Sequence, residues 1–146
     1  MKDVDLAKKL LNDGNLNLVV VKDSKVIFKS REKGIKPLYT AVNEIKYEIA
    51  GSSIADRVTG KAAAMLCKYG KIKELHTKLI SENAINVLKD TAIIINYDEV
   101  TPFIKNRDKT GMCPVETISI NSNNADELLD GISNFLESIR KVQNEQ

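Results

Sequence analysis

Residues 74–100, ELHTKLISENAINVLKDTAIIINYDEV, constrain the fold more than any other part of the chain. ELHTKLI alternates apolar and polar residues with the period of a strand, SENAINVLKD has helical spacing, and TAIIINYDEV carries a continuous apolar run expected of a strand buried on both faces. Strand, helix, strand in that order is a βαβ unit, and two parallel strands joined by a helix require helices packed over a sheet. The class is therefore α/β.

The rest of the chain fits around that unit. Val4, Leu6, Ala7, Leu10 and Leu11 lie at helical spacing over residues 3–12, and Gly14 stops that helix. LNLVVVK and KVIFKS are β-branched and aromatic runs joined by Asp23-Ser24, which predicts an antiparallel hairpin over 16–29. Pro37 suits the first turn of a helix through Leu38, Ala41, Val42 and Ile45. A helix is expected over 55–69, a short one in TPFIKNR, a loop in RDKTGMCP and a fifth strand in ETISI. The closing helix carries the stripe Leu128, Ile132, Phe135 and Ile139, flanked by Leu129 and Leu136. The expected architecture is a three-layer α/β/α sandwich around a mixed sheet of about five strands that starts with an antiparallel hairpin. One domain over 1–146 divides into an N-terminal helix (1–13), a core (16–118) and a C-terminal helix (124–142).

Charge and cysteine usage exclude several functions. Lys+Arg 22 against Asp+Glu 20 leaves a net charge of +2, with no clustered basic excess for nucleic acid. MKDVDLAKKLL intersperses charges among apolar residues, which reads as neither signal peptide nor membrane anchor, so a cytoplasmic location is expected. Two cysteines without C-x-x-C spacing argue for reduced thiols, with neither a disulfide framework nor a metal site. The single histidine, His76, is expected on the strand surface.

GSSIADRVTGKAAAMLC, residues 51–67, holds the candidate ligand site. Read as a helix start, Ser53 and Asp56 match a capping box, and Arg57 and Lys61 fall one turn apart on one face. Gly51, Ser52, Ser53, Arg57 and Lys61, with Arg107 from the later loop, would surround the free N–H groups with hydroxyls and cations. A helix N-terminus favours anions, so a phosphate or carboxylate suits this place. The alternative is a solvated Arg/Lys face. Gly60, Ala63 and Cys67 share another face and would let the helix approach the sheet, leaving Cys67 buried and inert. Cys113 lies in a loop with Arg107 and Lys109, where nearby cations would lower a thiol pKa.

Taken in order, VVVKDSKVIFKS, REKGIKPL, GSSIADRVTGKAAAML, the SENAINVL helix and RDKTGMCPVE resemble an uncharacterised prokaryotic family of the cytidine deaminase-like superfamily, over residues 4–118. The resemblance implies a deaminase-like fold and carries no established activity. Deaminases of that superfamily place H-x-E or C-x-E at the helix after the hairpin and P-C-x-x-C at the next helix, holding zinc with three ligands while a glutamate moves protons. ADRVTGKAAA and SENAINVL, taken as the equivalent spans, contain neither Cys nor His. Zinc-dependent deamination is not expected, and no cofactor or metal ligand set is assigned.

The leading reading is a metal-free deaminase-like module that binds a small anionic or nucleotide-like ligand at the 51–61 helix start. The alternatives are a zinc-independent enzyme using Asp56, Lys61 and Cys113, and a regulatory or structural homo-oligomer. D-K-T-G in the Cys113 loop matches the phosphorylated aspartate motif of cation pumps, but four residues recur by chance and a glycine-bearing turn explains them.

Overall fold

The computed structural model describes residues 1–106 and 109–145. The elements run α1 (Asp3–Asp13), β1 (Leu18–Lys22), β2 (Lys25–Ser30), α2 (Lys36–Glu44), β3 (Ser53–Thr59), α3 (Lys61–Tyr69), β4 (Glu74–Ser81), α4 (Glu82–Leu88), β5 (Ile94–Thr101), α5 (Pro114–Ile120) and α6 (Ala125–Glu145). The strands form one mixed sheet in the order β2-β1-β3-β4-β5. β1 is antiparallel to β2 and β3, while β3, β4 and β5 are parallel.

The hairpin forms where its turn residues require it. Asp23 and Ser24 both take positive φ, 51° and 66°, as a primed two-residue turn demands. Their N–H groups donate to Asp3 Oδ2 and Oδ1 at 3.0 and 2.9 Å, so the first turn of α1 holds the hairpin tip.

Strand alternation sends side chains to two cores. Val19, Val21 and Ala55 meet Ala7 and Leu11 of α1 on one face. Leu18, Val20, Ile54 and Leu75 meet residues of the other helices on the opposite face. Leu128 and Ile132 of α6 are fully buried in that second core, but the expected stripe fades at Ile139, which is 39% exposed. Among the described residues, no helix is long and apolar enough to cross a membrane.

Four expectations are corrected. The helix expected over 55–69 is split: Ser53–Thr59 is a central strand and the helix begins at Lys61, after Gly60. Ile54 decides it. Fully buried between Val20 and Leu75, it gains about 1.5–3 kcal/mol from burial, more than the roughly 1 kcal/mol of a capping box. ETISI is part of α5, because Pro114 starts a helix and Val115 and Ser119 bury one turn apart. TPFIKNR forms no helix within its described part, residues 101–106. The last strand of the βαβ unit is a sheet edge, with Ile94, Tyr97 and Val100 exposed.

Candidate functional site

The carboxyl ends of β3, β4 and β5 lie at one end of the sheet, where open α/β sheets bind ligands. β3 ends at Thr59, and Gly60 caps α3 without a side chain. β4 ends at Ser81, whose hydroxyl accepts the Ala84 N–H of α4 at 3.1 Å. β5 ends at Thr101, whose hydroxyl donates to the Phe103 carbonyl at 3.1 Å.

Glu116 of α5 reaches into this end and is 2% exposed. Its Oε1 accepts the Lys61 N–H at 2.8 Å and its Oε2 accepts the Ile104 N–H at 2.6 Å. The Lys61 N–H is one of the donors that the start of α3 leaves without an intrahelical partner. The chain therefore seats a carboxylate of its own at the anion-favouring end of α3.

Gly60 makes that seat sterically accessible. A Cβ there would lie 2.9 Å from Ile104 Cγ1 and 3.0 and 3.2 Å from the two Glu116 oxygens. Gly60→Ala is expected to push Ile104 and Glu116 away and to cost about 1–3 kcal/mol in chemical denaturation. An unchanged midpoint would place the Glu116 carboxylate elsewhere.

Asp56 lies on the adjacent part of β3. Its Oδ1 accepts the Arg57 N–H at 2.8 Å, and Thr59 Oγ1 lies 3.2 Å from its Oδ2 and 2.9 Å from Thr77 Oγ1. Thr77 Oγ1 in turn lies 3.1 Å from the Leu79 carbonyl. Desolvation pushes the Asp56 carboxyl up to about 7, against the opposing pull of hydrogen bonds from Arg57, Thr59 and Val58. Cys67 is buried as expected, and burial first, Asp56 second, push its thiol far above its ordinary range.

The described residues expected to form one anion site do not converge. Gly51, Ser52 and Ser53 lie at the amino end of β3, about 20 Å of extended chain from Thr59. The Gly51 N–H is used by the Lys71 carbonyl at 2.9 Å, and the buried Ser52 hydroxyl has no partner. Arg57 turns toward α1, donating from Nε to the Leu16 carbonyl at 2.6 Å and from Nη2 to the Leu11 carbonyl at 3.2 Å. It satisfies backbone carbonyls in the last turn of α1 and in the connection to β1 rather than a ligand, so Arg57→Gln is expected to lower stability by about 1–2 kcal/mol in a denaturant titration. No loss of stability there would restore the solvated-cation reading.

Among the described residues of that set, only Lys61 stands at the carboxyl ends of the strands, and its N–H is the group in use. Cys113 is half-buried just before α5, with its N–H donating to the Ile104 carbonyl at 2.9 Å. Arg107 lies outside the described residues. His76, expected on the surface, is 2% exposed because α1 covers β4 on that face. Glu116, Thr59 and Thr77 were not singled out by the sequence. The available signal was Pro114 followed by an acid two residues later, which marks the first turn of a helix. Among the described residues, no group of three or more His, Cys, Asp or Glu side chains is arranged to hold a metal ion.

Residues 6–136 match the model of the family described as "Domain of unknown function (DUF1893)", also labelled TM1506. The crystal structure of a DUF1893 family protein, TM1506, from Thermotoga maritima is similar to this chain with a TM-score of 0.79 and 28% identity, covering 92% of this chain and 90% of that one. No curated protein matches. The chain belongs to the DUF1893 family.

Proposed function

We propose that this DUF1893 protein is a metal-free, cytidine deaminase-like binding module that takes a small anionic or nucleotide-like ligand at the start of α3, in competition with its own Glu116. The observation that carries the reading is the Glu116 carboxylate held by two backbone N–H groups at that place. A phosphate or carboxylate offers the same acceptor oxygens to the same donors.

The deaminase-like part of the reading is supported by the sheet order, with a hairpin at one edge and three parallel strands. It also moves the equivalent spans one helix earlier: α2 follows the hairpin and α3 is the next helix. Their starts, Ile35-Lys36-Pro37 and Gly60-Lys61-Ala62, again contain neither Cys nor His.

Thermal shifts with phosphate and with a nucleoside monophosphate test the seat. Glu116→Gln keeps the side-chain volume but loses the charge, so anions should stabilise the variant more than the wild type. Equal stabilisation of both would place the anion elsewhere. An open groove of about 480 Å³ bordered by Lys68, Lys71 and Lys73, with Ile72, Ile93 and Ile94 supplying apolar surface, favours that second location.

A further inference from the structure

A second cavity lies on the opposite face, between α1 and the amino-terminal halves of β4 and β5. It measures about 140 Å³ and is lined by Val4, Asp5 and Lys8 of α1, Glu74 and His76 of β4, and Asn96 of β5. A water needs roughly 10–15 Å³ of such space, so the cavity holds several waters or a ligand of a few heavy atoms.

His76 makes this cavity more than a surface dent. It is 2% exposed, its Nδ1 lies 2.9 Å from Asn96 Oδ1, and its buried Nε2 has no hydrogen-bond partner. An amide oxygen only accepts, so Nδ1 carries the hydrogen and, in the neutral ring, Nε2 presents an unused lone pair. A buried acceptor left unpaired is costly, and a donor that reaches it recovers that cost.

The walls favour a cationic donor. Asp5 and Glu74 outnumber Lys8, and neither carboxylate belongs to an ion pair among the described residues, where Arg140–Glu137 is the one such pair. We propose that this cavity binds a small primary ammonium ligand, with the ammonium N–H groups shared between His76 Nε2 and the carboxylates of Asp5 and Glu74. The site is independent of the α3 seat, on the other face of the sheet.

His76 is the chain's single histidine, so its ring nitrogens are resolved without assignment ambiguity in a long-range proton–nitrogen spectrum. In the free protein, the spectrum should show hydrogen on Nδ1 and a bare Nε2. Ethylammonium chloride should then move the Nε2 signal saturably, whereas tetramethylammonium chloride, which has no N–H, should leave it in place. Asp5→Asn combined with Glu74→Gln should weaken the ethylammonium response by at least about tenfold, with the rest of the amide spectrum retained. His76→Phe should abolish saturable amide shifts around residues 4–8. Hydrogen on Nε2 in the free protein, an equal response to both cations, no saturation, or a double variant that binds as tightly would each overturn the proposal and leave a water-filled cavity.

Discussion

Asp56→Asn is expected to stabilise the protein at pH 8 by about 2–4 kcal/mol and to flatten its stability between pH 4 and pH 8. The reason is burial, which outweighs the hydrogen bonds that the Asp56 carboxylate accepts from Arg57, Thr59 and Val58. Desolvation raises the carboxyl from 3.8 to about 7.

The sign follows from linkage. The folded state holds the Asp56 proton more tightly than the unfolded state, so this contribution is complete below about pH 4 and is lost as pH rises through about 7. Three pKa units correspond to about 4 kcal/mol, which sets the upper end, and Asp56 retains some contact with solvent, which sets the lower. Asparagine keeps the acceptor for the Arg57 N–H and turns an amide N–H toward Thr59, whose hydroxyl then donates to Thr77, without titrating. Urea denaturation of both proteins across that pH range checks it. A variant less stable than wild type at pH 8 would mean that the ionised carboxylate is the form the fold requires.

Glu116→Ala is expected to cost about 2–4 kcal/mol, because truncation leaves the Lys61 and Ile104 N–H groups without their shared acceptor. The loss should be local in origin. α3 would lose the carboxylate at its start, and the segment around Ile104 would lose its tie to α5. Added phosphate should recover part of the stability in the alanine variant, because it restores acceptor oxygens where the carboxylate had been. Calorimetric unfolding with and without phosphate measures both effects. A loss below about 0.5 kcal/mol would show that water satisfies those N–H groups equally well.

The elements that were legible from sequence were those whose signals are local. Asp23-Ser24 fixed the hairpin, Pro37 opened α2, and the polar and apolar periods of 74–90 separated β4 from α4. β3 was not legible because Ser53-Ile54-Ala55-Asp56 satisfies a capping pattern locally, while the ladder to β1 and β4 that makes it a strand is long-range. ETISI has the β-branched composition of a strand, and only its preceding proline and its packing make it helical. The site followed the same rule. Asp56 and Lys61 were singled out for one helix start at 51–61, and they fall instead in the middle of β3 and at the first position of α3. Glu116 lies 55 residues from the N–H it accepts, a separation no local pattern encodes.

The most direct measurement is a titration of nitrogen-15-labelled Glu116→Gln protein with a nucleoside monophosphate, following the amides of Lys61 and Ile104. Binding at the start of α3 should move both signals saturably and together, and the wild type should need a higher ligand concentration for the same shift because Glu116 competes. Stationary Lys61 and Ile104 amides, with saturable shifts confined to residues 68–73 or absent altogether, would contradict the proposed seat.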